Sequence, residues 1–130
     1  MPARVGYDPG VDKNFLLIGS VAAFLAVGLG AFGAHGLRTR LSADMLAVFE
    51  TGVRYHMYHA LAIIATALAM GRLSGRLVVW AGWSFTAGIV LFSGSLYLLA
   101  LTGVTILGAI TPFGGLAFLL GWACLAFASI

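Results

Sequence analysis

Residues 77–130 of this 130-residue chain contain no charged side chain. A helix that spans a bilayer needs about 20 predominantly apolar residues, so this stretch is too long for one crossing and long enough for two. The rest of the chain is similar, because 62% of all residues are hydrophobic and 8% are charged, against about 25% charged residues in soluble domains. The sequence therefore predicts one small integral membrane domain over residues 1–130.

Four apolar segments have the length of a spanning helix. They cover approximately residues 15–34, 51–70, 77–101 and 111–129. The turn at residues 71–76 is short and contains two arginines, so the helices that it connects must be antiparallel neighbours. We expect an all-α membrane protein, folded as a compact antiparallel bundle of four transmembrane helices.

Two stretches depart from a plain spanning pattern. Ser42 suits a helix N-cap and Asp44 a first turn, so residues 41–54 indicate an amphipathic helical segment before helix 2. Between the third and fourth spans, Gly103 and Pro112 interrupt the helix pattern. Irregular backbone at membrane depth requires cover from protein. We therefore expect residues 102–112 to be a broken or re-entrant stretch before helix 4.

Small residues at helical spacing indicate where helices pack. Lipid removes the hydrophobic drive between helices, so their association depends on close approach of the backbones. One stripe of small residues lies in the first span and another in the fourth, and a flat face left over on such a bundle would suit a homo-oligomer. The stripes consist of Ala22, Ala26, Gly30 and Ala34, and of Gly114, Ala117, Gly121, Cys124 and Ala128.

Four short motifs carry a family resemblance. They are GAFGAHGL at residues 30–37, FETGVRYHMYHAL at 49–61, FSGSLY at 92–97 and ITPFGG at 110–115. In this order they resemble the small bacterial membrane proteins of the domain of unknown function 423 family, which is related to eukaryotic transmembrane protein 256. The resemblance covers the chain after about its first dozen residues. It implies a multi-span protein of the bacterial inner membrane and brings no biochemical activity.

Polar side chains gather toward one end of the predicted bundle. Ionisable groups at membrane depth are costly, and they are candidates for a functional site by default. His56 and His59 are three residues apart on one helix face, which would suit two ligands of one metal ion. Hydrogen bonds to Tyr97, Ser93, Ser95 or backbone carbonyls would instead tie helices together. The full candidate site is His35, Glu50, Arg54, His56, His59 and Tyr97.

We expect a protein that is not an enzyme and acts through helix–helix contacts, as a homo-oligomer or as an accessory subunit of an inner-membrane complex. One alternative is a small transporter or channel with a histidine-lined polar path. Another is a metal or redox site at His35, His56 and His59. No serine, cysteine or carboxylate pair has a catalytic context, so no catalytic residue, cofactor or bound metal is predicted.

The expected partners are the lipid bilayer and either a second copy of the chain or another membrane protein. Nucleic acid is not expected, because the net charge of +3 is scattered with no basic run. The charge balance across the bilayer slightly favours cytoplasmic termini. It sets Arg4, Lys13, Arg72 and Arg76 on one side against Arg38, Arg40 and Arg54 on the other.

Overall fold

A computed structural model describes residues 10–73 and 75–130, and it consists of helices joined by short connections. A π-helical segment, Ile89–Ser93, joins the helices α3 (Arg76–Gly88) and α4 (Gly94–Thr102), so that these three pieces form one continuous rod. The described residues therefore form four rods, and the expected antiparallel helical bundle is confirmed. The helices are α1 (Val11–His35), α2 (Ala43–Ala69), α3 (Arg76–Gly88), α4 (Gly94–Thr102) and α5 (Thr111–Ala128), with a 3-10 helix at Thr105–Ala109.

Three of the rods have the length and apolar composition needed to cross a membrane. They cover Val11–His35, Arg76–Thr102 and Thr105–Ala128. The remaining helix, α2, has 27 residues and is about 40 Å long at 1.5 Å per residue. It carries His56 and His59, two of the three histidines, and packs between α1 and the rod formed by α3 and α4. The most polar helix is thus the one that its neighbours cover.

Neighbouring rods run antiparallel, so the bundle has two ends. The His35 surface contains the end of α1, the start of α2, the end of α4 and the start of α5. The opposite end is the Arg72 surface, where α2 turns into α3. A core of Phe15, Ile63 and Phe85 lies between the rods, and a smaller cluster around Phe49 lies nearer the His35 surface. These clusters fix the register in which the polar groups of α2 meet their neighbours.

The second predicted span is longer than expected. α2 begins at Ala43, because the Ser42 hydroxyl accepts a hydrogen bond from the N–H of Met45 at 3.2 Å and caps the helix. The amphipathic segment and the span that follows it therefore form one unbroken helix. Glu50 and Arg54 are held by the same rigid element as His56 and His59.

The predicted break before the last span is present. α4 ends at Thr102, and Gly103 follows in the left-handed region at a φ of 72°, which glycine adopts without steric cost. A 3-10 helix, Thr105–Ala109, then packs against α4, with Gly108 beside Leu99. Pro112 lies in the first turn of α5, where its missing N–H is tolerated.

The small residues of α1 face α2. A Cβ atom on Gly30 would lie 3.3 Å from Val53, and one on Gly33 would lie 3.0 Å from the Phe49 ring. Ala26 is buried and Ala22 half-buried, whereas Ala34 is exposed. The contact stripe therefore includes Gly33 at its last turn and does not include Ala34. Gly33, and not Ala34, faces the bulky ring of Phe49 on α2.

The small residues of α5 face α3 and the π-helical segment. Gly114 lies directly against the backbone of Phe92, and Gly121 accommodates the ring of Phe85. Cys124 is buried in the core, and Ala117 and Ala128 are half-buried. These contacts bring α5 close enough to α2 for their side chains to meet.

Candidate functional site

His56 links α2 to α4 and lies beside α1. Its Nδ1 lies 2.9 Å from the hydroxyl of Tyr97 in α4, and it lines the same groove as Ala22 of α1. The imidazole is 5% exposed. Gly52, one turn earlier in α2, leaves room for the Tyr97 ring, since a Cβ atom there would be 2.9 Å from it. A buried polar group satisfied in this way stabilises one arrangement of the helices.

The π-helical segment places two serines toward different neighbours. Ser93, at its end, donates a hydrogen bond to the carbonyl of Gly52 in α2 at 2.7 Å. Ser95 lies 2.7 Å from the hydroxyl of Thr111 at the start of α5. A π-helical insertion shifts the helix face that follows it. The rod formed by α3 and α4 therefore contacts α2 and α5 through neighbouring serines.

His59 has both ring nitrogens engaged. The indole N–H of Trp122 donates to Nε2 at 3.2 Å, and Nδ1 lies 2.7 Å from the carbonyl of Tyr55. An indole is a donor only, so Nε2 must be unprotonated and Nδ1 must carry the hydrogen. His59 is therefore a neutral imidazole in the Nδ1–H form, with no lone pair free for a metal ion or a proton.

Aromatic rings surround His59. Its imidazole stacks on Phe118 with centroids 3.5 Å apart and planes at 7°, and the Phe85 and Trp122 rings lie within about 6 Å. His59 is ten residues before Ala69, the end of α2, which places it about 15 Å from that end. This cluster is therefore in the middle of the bundle.

The six predicted site residues do not form one site. His56 and Tyr97 come together, and His59 lies in the separate aromatic cluster. His35 is exposed at the last residue of α1. Phe49, which faces Gly33 at the same end of α1, is ten residues or about 15 Å along α2 from His59. His35 is therefore separated from His59 by about half the thickness of a bilayer core.

The distance between His35 and His59 also bears on the predicted metal site. Among residues 10–73 and 75–130, no three His, Cys, Asp or Glu side chains lie close enough to hold a metal ion. The three-histidine arrangement of the second alternative is not formed. His56 and His59 share a face of α2 but point toward different helices. His35 is exposed at the end of α1.

Open grooves lie between the rods on the outside of the bundle. The α5 groove, between α2 and α5, has a volume of about 610 Å³ with His59 in its wall. The α1 groove, between α1 and α3, has a volume of about 380 Å³ with His56 in its wall. The Glu50 groove has a volume of about 280 Å³ and is lined by Gly30, Gly33, Phe49, Glu50, Val53 and Arg54.

Sequence reasoning did not identify Trp122 as a site residue. An indole N–H in the middle of an apolar helix requires a hydrogen-bond acceptor. This requirement could have indicated that Trp122 has a polar partner. Gly52 was also missed, because its role is to accept the Ser93 hydroxyl and to leave space for Tyr97. Neither role is visible without the partner helix.

The comparisons with known proteins agree with this architecture. Residues 29–115 match the family model described as "Protein of unknown function (DUF423)". The UPF0382 membrane protein YwdK of Bacillus subtilis is 53% identical over 119 residues, which cover 91% of this chain and 97% of the relative. A UPF0382 membrane protein of Staphylococcus epidermidis is 50% identical over 118 residues, which cover 91% and 96%.

No solved structure matches the chain significantly. The matched region contains all six predicted site residues and the π-helical segment. The family resemblance carried by the four motifs is confirmed, and the relatives are membrane proteins by name. The chain therefore belongs to the DUF423 family of UPF0382 membrane proteins and is a small multi-pass membrane protein.

Proposed function

We propose that this protein is not an enzyme and that it acts through helix–helix contacts, as a homo-oligomer or as an accessory subunit of an inner-membrane complex. We further propose that the lipid-facing side of α5 is the contact surface. The observation that carries this proposal is a second packing face on α5, which is largely exposed and lies beside the face that packs against α3.

The second face has the spacing of a packing stripe. Its residues recur at intervals of three and four, which is the pattern of a helix face that packs against another helix. Leu116 is 62% exposed, Leu119 66% and Trp122 46%. The inner stripe of α5 is already used against α3, so this outer stripe is free for another helix. It consists of Pro112, Gly115, Leu116, Leu119 and Trp122.

The α5 groove suits a helix better than a reacting molecule. Its wall beyond α5 is formed by Tyr55 and Phe92, which are aromatic, and by His59, whose ring nitrogens are both engaged. Gly115 in the middle allows a neighbouring backbone to come close, as small residues do in membrane interfaces. This surface offers shape and packing, and its one imidazole already uses both ring nitrogens in hydrogen bonds.

The transport alternative has less support. A histidine-lined path needs His56 and His59 to face a common polar route. The two imidazoles instead lie in the walls of different grooves, and the residues lining both grooves are mostly apolar. A proton passing between them would have to break the hydrogen bonds to Tyr97 and Trp122.

We also propose a location and an orientation. The family resemblance favours the bacterial inner membrane. The count of Lys and Arg places Lys13, Arg72 and Arg76 at the Arg72 surface and Arg38, Arg40 and Arg54 toward the opposite one. Arg4 lies outside the described residues; when the sequence count adds it to the first set, the difference of one positive charge favours termini on the cytoplasmic side.

The test compares two glycine variants that differ only in the face they block. Gly115→Leu places a bulky side chain on the outer face of α5, where a Cβ atom meets only Phe92 at an ordinary 3.9 Å. Gly28→Leu does the same on the outside of α1, where a Cβ atom meets nothing within 4 Å. Each full-length protein is extracted from its native membrane in mild detergent, and particle mass and copurifying proteins are measured.

We expect the wild-type protein and Gly28→Leu to have the same mass, equal to an oligomer or to a complex with another membrane protein. Gly115→Leu should lose that association and run as a monomer. A wild-type protein that is monomeric in detergent and in lipid nanodiscs contradicts the proposal. Equal assembly of all three proteins contradicts the choice of the α5 face.

A further inference from the structure

We propose that the Glu50 groove binds the headgroup of a zwitterionic phospholipid that has a primary ammonium, such as phosphatidylethanolamine. Arg54 would hold the phosphate and Glu50 the ammonium. The proposal concerns a different face of the bundle from the α5 groove and does not depend on the proposed function.

The groove presents one positive and one negative charge side by side. Glu50 and Arg54 are four residues apart on α2, so their side chains lie on the same helix face. Both are exposed, and among the described residues neither belongs to an ion pair. Their charges are therefore available to a ligand that carries the opposite charges at a similar spacing.

The shape of the groove is set by two glycines. Gly30 and Gly33 of α1 form one wall, and Phe49 and Val53 of α2 form the floor between them and the charges. A volume of about 280 Å³ accommodates a small polar headgroup. Larger residues in α1 would fill this space, because Cβ atoms at the two glycines would lie 3.0 to 3.3 Å from Phe49 and Val53.

The groove lies at the depth of lipid headgroups. Glu50 is seven residues from the start of α2, or about 10 Å from that end. α2 is about 40 Å long, whereas the hydrocarbon core of a bilayer is about 30 Å thick, so the first turns of α2 extend beyond it. Glu50 and Arg54 are thus placed near the boundary between headgroups and acyl chains.

The face below the charges suits acyl chains. Tyr58, Leu61 and Leu68 follow Arg54 at four, seven and fourteen residues, which keeps them on the same side of α2. These side chains are 54%, 53% and 69% exposed. A charged end followed toward the membrane centre by an apolar strip matches a phospholipid, and it favours a lipid over a free phosphate ester.

The chemistry distinguishes among phospholipids. The Arg54 guanidinium can bind the phosphate of any phospholipid through paired N–H donors, so it does not distinguish one phospholipid from another. Glu50 accepts hydrogen bonds, and the ethanolamine ammonium has three N–H donors. A choline group has none, and a glycerol headgroup carries no positive charge. Glu50 should therefore favour ethanolamine lipids over both.

The experiment measures which lipids stay bound to the full-length protein. Native mass spectrometry is performed on detergent-purified protein with equimolar phosphatidylethanolamine, phosphatidylglycerol and phosphatidylcholine of identical acyl chains. An exposed charge pair contributes about 0.5 to 1 kcal/mol, so we expect a two- to fivefold preference of the wild-type protein for phosphatidylethanolamine. Glu50→Gln should reduce this ratio to about one, and Arg54→Gln should reduce binding of all three lipids.

Two exposed residues near the same surface provide matched controls. Asp44→Asn removes an acid from α2 outside the groove, and Arg40→Gln removes a base from the connection before α2. Both should retain the wild-type preference. A control that loses the preference as fully as Glu50→Gln would overturn the proposal, because general surface charge would then explain the selectivity.

A second measurement needs no variant. Wild-type protein is titrated with phosphatidylethanolamine and its mono-, di- and trimethylated forms, and retention should fall with each N–H that is removed. Equal retention along this series would overturn the role of Glu50. Displacement of the lipid by soluble phosphoethanolamine at equal concentration would overturn the lipid assignment and indicate a site for free phosphate esters.

Discussion

Trp122 donates its indole N–H to Nε2 of His59 across 3.2 Å, and this hydrogen bond links α5 to α2 through side chains. The same imidazole stacks on Phe118, four residues before Trp122 on α5. One ring of α2 is thus held by two aromatic residues of α5. Because the indole N–H can only donate, the direction of this hydrogen bond also determines which nitrogen of His59 carries the hydrogen.

The first prediction concerns the protonated nitrogen of His59. In the wild-type protein we expect a single neutral form with hydrogen on Nδ1, bonded to the Tyr55 carbonyl. Trp122→Phe removes the donor to Nε2 and should produce a mixture of forms. It should also lower stability by about 0.6 to 1.7 kcal/mol, from the average to the maximum contribution of a hydrogen bond between membrane helices. ¹⁵N NMR of histidine-labelled protein in lipid distinguishes the forms.

Trp80→Phe is the control for this experiment, since Trp80 is 60% exposed and outside the His59 cluster. Its histidine spectrum should match that of the wild-type protein. A wild-type His59 with hydrogen on Nε2 would contradict the direction assigned to the Trp122 hydrogen bond.

The second prediction compares two adjacent glycines of α5. A Cβ atom on Gly114 would clash with the backbone of Phe92, which cannot move without shifting the π-helical segment. Gly114→Ala should therefore lower the free energy of unfolding by about 1 to 3 kcal/mol, as overpacking does in other cores. Gly115→Ala should be nearly neutral, because its Cβ atom would lie 3.9 Å from the nearest atom. Unfolding in mixed micelles with increasing sodium dodecyl sulfate measures both.

Similar changes of stability in the two variants would contradict the role of the contact with Phe92, because the gain in helix propensity from Gly to Ala is the same at both positions. The comparison is sharp because the two positions are neighbours in one helix turn and differ only in the side of α5 that they face.

The third prediction concerns topology. Cys124 is the single cysteine and is buried, so a Cys124→Ser background permits labelling of new cysteines one at a time. Thr39→Cys and Val104→Cys, both in connections at the His35 surface, should react with an impermeant maleimide from the same side of the membrane. Gly71→Cys, in the turn after α2, should react from the opposite, cytoplasmic side.

Labelling of Thr39→Cys and Gly71→Cys from one side would contradict a spanning α2. Reaction of Gly71→Cys from outside the cell would leave the four-span arrangement intact and reverse the proposed orientation. The labelling therefore tests the four-span arrangement separately from the orientation inferred from the charge count.

Several features of the fold followed from local patterns. The apolar segments, the cap at Ser42, the break at Gly103 and the inner stripe of α5 all depend on residues within one or two helix turns of each other. The boundary of α2 was less predictable. Charged residues shortened the expected span to residues 51–70, but in the structure they belong to one continuous helix that begins at Ala43.

Sequence patterns did not predict the hydrogen-bond partners of the polar side chains. The spacing of His56 and His59 indicates a shared face, and it does not reveal that one meets Tyr97 and the other Trp122. Their divergence depends on the π-helical segment, which rotates α4 relative to α3, and on Gly114, which sets how closely α5 approaches.

The sequence by itself determined that the chain is an antiparallel set of membrane helices, because length, apolar composition and short connections are local properties. Only the tertiary structure decided that His35 stands apart and that Glu50 and Arg54 share a groove with two glycines of α1. Such relations depend on the rotation and depth of each helix against its neighbour, and these are fixed by side-chain packing between segments far apart in the chain.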